Sequence, residues 1–183
     1  FQPMVSVANG QGDNPGGGAR TGFPQFFVTS DPVFKIPNAW NWTVGIQREI
    51  GYQTTIEVAY VGRTGLNLER ERELNALQPG TLQANPGANA NFLRPFKGFA
   101  FIPMGETAAR SEYNGLQIEV NRRFIRGFSY GLAYTLSKSM DNASGRRDRL
   151  YNPFDDRNYW GKSGFDTRHV AVLNWIYELP FLK

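Results

Sequence analysis

Over residues 113–138 the chain changes polarity at almost every step. Leu116, Ile118, Val120 and Phe124 alternate with Gln117, Glu119, Asn121 and Arg123. After Ile125-Arg126-Gly127, the return arm sets Phe128, Tyr130, Leu132, Tyr134 and Leu136 against Ser129, Gly131, Ala133, Thr135 and Ser137. A helix brings side chains to one face every three or four residues, whereas an extended strand sends successive ones to opposite faces. The segment therefore predicts a tight β-hairpin with one apolar and one polar side.

The same plan occurs upstream. Trp40, Trp42, Val44, Ile46, Arg48 and Ile50 alternate with Asn41, Thr43, Gly45, Gln47 and Glu49. Gly51-Tyr52-Gln53 turns the chain into 54–63, where Ile56, Val58 and Tyr60 oppose Thr55, Glu57 and Ala59. A fifth strand is expected near 167–179, with Leu173, Trp175, Tyr177 and Leu179 on one side and Asn174 and Glu178 on the other. The expected strands are thus near 39–50, 54–63, 113–124, 128–138 and 167–179, with long loops at 64–112 and 139–166. The stretch NLERERELNAL ending at Leu77 also fits a helix by its charge pattern, but reads better as an extension of the second strand followed by loop. Residues 1–38, including Gly16-Gly17-Gly18, read as a Gly/Pro-rich loop.

Alternation alone fits both a soluble sandwich and a membrane barrel, and three further features favour the barrel. Tight turns at 51–53 and 125–127 contrast with long connections on the other side, as in the periplasmic and extracellular ends of a barrel. About eleven residues at ~3.3 Å each, tilted by ~45°, cover about 25 Å, the height of a barrel's apolar band. Trp40, Trp42, Tyr52, Tyr60, Phe124, Phe128, Tyr134, Trp175, Tyr177 and Phe181 gather toward strand ends, where aromatic girdles form. Gln47, Glu49, Gln117, Glu119, Asn121 and Arg123 then face a wet lumen. Mean hydropathy of −0.45 agrees, because a barrel strand needs only one apolar face. The absence of cysteine suits passage through an oxidising periplasm. The expected fold is all-β: an antiparallel, up-and-down transmembrane barrel segment of about five strands, incomplete by itself.

The net charge of +4 does not mark a nucleic-acid binder, since the cations are scattered among acids. Arg146, Arg147 and Arg149 lie beside Asp148, Asp155 and Asp156, which suggests a solvated loop or one facing lipopolysaccharide. The opening Phe1-Gln2-Pro3, with no initiator Met or signal peptide, is expected of a processed or partial product.

The segments SEYNGLQIEVNRRFIRGFSYGLAYTLSKSMDN (111–142) and FDTRHVAVLNWIYELPF (165–181) resemble the barrel of Oar-like TonB-dependent outer-membrane receptors. NWTVGIQREIGYQTTIEVAYVG (41–62) is similar to the preceding hairpin of that family, so the resemblance covers about 39–183. It implies a Gram-negative outer-membrane transporter with a barrel of about 22 strands around an N-terminal plug, taking up large or scarce ligands with energy delivered through TonB. The remaining strands, the plug and the TonB-contacting segment are expected outside these residues. Outer-membrane lipid and lipopolysaccharide are the expected surroundings.

Individual site candidates are few. Gly127-Phe128-Ser129-Tyr130-Gly131 matches the G-x-S-x-G elbow, but that chemistry needs a strand-to-helix turn, and here alternation runs on unbroken. His169, the single histidine, lies near Asp166 and Arg168 and reads as a polar structural group. Asn152, Asp148, Asp155 and Asp156 could offer oxygens to Ca²⁺, yet Arg146, Arg147, Arg149 and Arg157 suggest internal ion pairing instead. The sequons at Asn41 and Asn142 carry little weight, the first lying inside a strand. No enzyme activity, cofactor or metal is expected, and no ligand-binding residue is singled out; the two long loops are where recognition is expected. Two other readings stay open: a surface or assembly subunit pairing through open strand edges, and a soluble carbohydrate-binding β domain.

Overall fold

The alternating segments become the long strands of one sheet. The computed structural model describes residues 28–97 and 99–181, with the backbone of 5–6 and 11–12. The strands are β1 (Val5–Ser6), β2 (Gln11–Gly12), β3 (Thr29–Ser30), β4 (Asn38–Glu49), β5 (Thr54–Glu73), β6 (Pro103–Ile125), β7 (Phe128–Asp141), β8 (Gly161–Lys162) and β9 (His169–Tyr177). Two short helices, α1 (Thr81–Ala84) and α2 (Ala90–Leu93), lie between β5 and β6. The expected loop 1–38 falls largely outside the described residues up to 27; within it β1 pairs with β2 and β3 with β6.

The chain divides into two units. One comprises Phe1–Ile36, Glu69–Ala108 and Gly145–Tyr159, the other Pro37–Leu68, Ala109–Ser144 and Trp160–Lys183. The second unit holds the sheet read from the sequence, in the order β4-β5-β6-β7, with β8 and β9 both on β7. Its pairs are antiparallel, and their registers put like beside like. Val44 pairs with Tyr60 and Ile46 with Val58. Val120, Leu132 and Leu173 form one row across β6, β7 and β9. On the opposite face, Gln47 meets Glu57, Gln117 meets Thr135, and Asn121, Gly131 and Asn174 share a row.

Both tight turns are built on left-handed backbone. Ile125 pairs with Phe128 across Arg126 (φ 52°) and Gly127 (φ 79°), the two positive angles of a type I′ hairpin, whose twist matches the strands. Gly51, Tyr52 and Gln53 all have positive φ between β4 and β5, closed by the Thr54 amide donating to the Gly51 carbonyl at 2.9 Å.

A β-sandwich would bury one apolar face against a second sheet. Here, among the described residues, the buried hydrophobics are only Ala59, Ile102, Ala109 and Leu150, while Val44 and Ile46 are 72% and 71% exposed. Trp40, Leu116, Leu173, Trp175 and Tyr177 join them on the surface. So broad an apolar face on a water-soluble monomer would be an aggregation hazard, whereas in lipid it is the stable arrangement. Backbone closeness serves it locally: a Cβ on Gly62 would sit 2.1 Å from the Trp42 ring, so the glycine lets that indole lie flat over β5.

Two expectations need correction. The loop expected at 64–112 is much shorter: β5 runs to Glu73, in line with the extension expected of the second strand, but β6 already starts at Pro103. The added length of β5 carries charge on both faces, and in that of β6 Glu106, Arg110 and Glu112 interrupt one face while small or polar residues fill most of the other, so no apolar stripe marks them; ladder hydrogen bonds and ion pairs hold them extended. The loop at 139–166 likewise gives up residues to the end of β7 and to β8. The second correction concerns β9, which runs over His169–Tyr177 rather than 167–179 and whose other side carries more than polar residues. Val170, Val172 and Ile176 share it with Asn174.

Candidate functional site

The sequence Glu69-Arg70-Glu71-Arg72-Glu73 ends β5. In a strand this alternation puts the arginines on one face and the glutamates on the other. Arg70 is 1% exposed. Its Nε donates to Glu106 Oε1 and its Nη2 to Asp156 Oδ2, both at 2.6 Å. Arg72 grips the same Glu106 through Nε (2.7 Å) and Nη2 (3.0 Å), and also bonds the Pro153 carbonyl. On the other face Glu71 meets Arg149 at 3.3 Å, and Glu69 meets Arg146. These contacts clamp the segment 145–159 onto β5 and β6 of the first unit. Forked guanidinium–carboxylate bonds fix orientation as well as position. Removing one partner would strand a buried charge, typically at about 3–5 kcal/mol.

Burial pushes the Glu106 carboxyl up, but hydrogen bonds from Arg72 and then Arg70, together with their charges, outweigh it and hold the group below the usual carboxylate range. The Arg70 hydrogen bond likewise lowers Asp156. Asp155 is drawn down to about 2 by hydrogen bonds from Arg157. A carboxylate lowered in the folded state adds stability that is complete above its unfolded pKa and is lost as pH falls through the folded value. The clamp is therefore expected to stay closed at about pH 5 and to open only below about pH 4. Hydrogen exchange of residues 145–159 as a function of pH checks this; loss of protection already near neutrality would contradict it.

A second organiser is Asn75, which is fully buried. Its Nδ2 donates to the carbonyls of Phe96 (3.0 Å), Phe99 (3.2 Å) and Ala100 (2.8 Å), and its Oδ1 accepts from the Phe96 amide (2.7 Å). Glu73 Oε1 accepts from the amides of Asn75 and Ile102. One amide side chain thereby folds the 74–102 connection back on itself.

These two frames border an open cleft of about 400 Å³, with Glu73, Arg94, Phe101, Arg149, Tyr151 and Pro153 on its walls. The Arg149 guanidinium lies 4.7 Å over the Phe101 ring, and Tyr151 is 97% exposed. Aromatic and arginine side chains on a braced loop can stack against a ligand and hydrogen-bond it, and they dominate many interfaces. Sequence reasoning picked out the loop but not these residues, because the partners are far apart in the chain.

Sequence-singled residues are placed as follows. Ser129 lies within β7 opposite Ile176, with no strand-to-helix turn. His169 Nδ1 and the Tyr134 hydroxyl are hydrogen-bonded at 2.8 Å, while Asp166 accepts from the Ser139 amide instead. The Asp148 carboxylate takes the Gly145 amide, Asp155 takes Arg157, and Asn152 takes the Phe154 amide. Among the described residues no three acidic, histidine or cysteine side chains gather as a ligand set. In the second unit, Asn41, Arg63, Tyr113 and Ser139 border a cavity of about 540 Å³ on the polar face of the sheet.

An antiparallel sheet with lipid-type apolar cover on one side, polar residues on the other, tight turns and braced long loops defines a wall segment of an outer-membrane β-barrel. A family model described as "Outer membrane beta barrel domain" matches residues 2–183, and the chain belongs to that family. It is a protein of the outer membrane, which sets aside the soluble carbohydrate-binding reading. Among solved structures, the outer membrane transporter YddB from Escherichia coli matches with a TM-score of 0.55 at 13% identity, over 86% of this chain and 20% of that one. At that identity the likeness is one of fold. The chain spans about a fifth of the length of that transporter. No curated protein sequence matches the chain.

Proposed function

We propose that the chain is part of the barrel of a TonB-dependent transporter of the Oar-like kind, and that its loops make first contact with the ligand. The observation that carries this reading is the construction of the first unit. Two buried frames, Arg70–Glu106–Asp156 and Asn75, brace a cleft walled by Tyr151, Arg149 and Phe101. A wall segment with no role in recognition has little use for loops held this firmly. The polar face, with Gln47, Glu57, Gln117 and Asn121, lines the passage in this reading. Further strands continue the sheet beyond β4 and β9, whose outer edges are unpaired among the described residues. No catalytic step, cofactor or metal enters.

The reading is tested on the full-length protein in two measurements. In planar bilayers it is expected to show no steady open conductance, as a plugged barrel does, and to bind the purified periplasmic domain of TonB. Stable stepwise conductance with no TonB binding would replace it with an open pore.

A further inference from the structure

The outward face of β7 changes chemistry near one end. Leu132, Tyr134 and Leu136 are followed two residues on by Lys138, which the pleat sets on the same side. Lys162 pairs directly with Met140 on that face, and Met140 pairs in turn with Glu112 of β6. Two residues before Glu112, Arg110 lies 4.5 Å over the Trp160 ring. With Thr64, Leu66 and Glu112, Arg110 and Trp160 border a surface cavity of about 230 Å³.

The charges here do not cancel. Among the described residues, Lys138, Lys162 and Arg110 have no acidic partner. The one carboxylate among them, Glu112, accepts a hydrogen bond from Asn114 at 2.9 Å. Three cations therefore stand against one anion at the edge of an apolar face.

Height identifies what they meet. From Phe128 at the tight turn, β7 climbs about 23 Å to Lys138, at ~3.3 Å per residue and ~45° tilt. That nearly spans an apolar band of about 25 Å, so the cations stand at the headgroup level of the leaflet on the long-loop side. Lysine and arginine stems can lie along the apolar surface while their heads reach phosphate.

We propose that this face docks a phosphorylated glycolipid of the outer leaflet, the lipid A of lipopolysaccharide. Lys138, Lys162 and Arg110 grip its phosphates, and its acyl chains lie along Leu116, Leu136 and Tyr134. The proposal rests only on the outer-membrane placement, and not on transport.

The test uses the full-length protein, delipidated in detergent, with bisphosphorylated lipid A as the probe and native mass spectrometry as the readout. The variants K138Q/K162Q and K138Q/K162Q/R110Q are compared with R48Q at the opposite rim, folding being checked by heat-modified gel mobility. Binding is expected to weaken about tenfold or more in both multiple variants, as loss of charged hydrogen bonds implies, and to stay unchanged in R48Q. Lipid A stripped of phosphate is expected to bind as poorly as the triple variant, and millimolar inorganic phosphate is expected not to compete. Unchanged binding by the triple variant, equal binding of the dephosphorylated lipid, competition by free phosphate, or an equal loss in R48Q would each overturn the proposal.

Discussion

Leu132→Arg is expected to destabilise the folded barrel by about 2–4 kcal/mol in lipid vesicles, the cost of an arginine near the bilayer midplane. Leu132 stands in the row Val120–Leu132–Leu173, about halfway between the tight turn and Lys138. Ala133→Arg, one residue on, is expected to cost far less. Ala133 pairs with Glu119 on the polar face, where water and a carboxylate await the new charge. Denaturant unfolding of the full-length protein compares the two. Similar costs for both would mean that the faces are not lipid and water.

Asn75→Asp is expected to lose about 3–5 kcal/mol of local stability, because buried groups left without partners cost about 1–3 kcal/mol each. The substitution replaces an amide that donates to three carbonyls with a carboxylate that has no proton to give and repels them. The change is nearly isosteric, so lost packing does not confuse the result. Hydrogen exchange over 76–102 is expected to accelerate sharply while β7 and β9 stay protected. Unaltered protection of that connection would remove Asn75 as its organiser.

The membrane sheet was legible in the sequence, and the loop unit largely was not. In β6 and β7 one face meets lipid and the other water, so solvent itself writes a period of two; the pairing of Leu116 with Leu136 and of Val120 with Leu132 follows directly. Beyond the apolar band both faces of β5 are polar. Arg70 and Glu71 then alternate in sign rather than hydropathy, a pattern that a helix also fits although it reads better as an extension of the strand. The Arg70–Glu106 and Asn75–Phe96 contacts join residues distant in sequence, and an asparagine that organises a buried loop is the same letter as one in an exposed turn. His169 hydrogen-bonds Tyr134, a partner that depends on a register between β7 and β9 that no local pattern specifies.

The central claim is that alternate residues of these strands face lipid and water. Single cysteines placed from 129 to 136 in a cysteine-free background of the full-length protein can each report their own surroundings in vesicles. A charged, water-soluble thiol reagent is predicted to label 129, 133 and 135 and to spare 130, 132, 134 and 136, while a lipid-dissolved quencher reaches fluorophores only at the second set. Labelling that rises and falls with a period near 3.6 residues, or is uniform along the segment, would contradict the account.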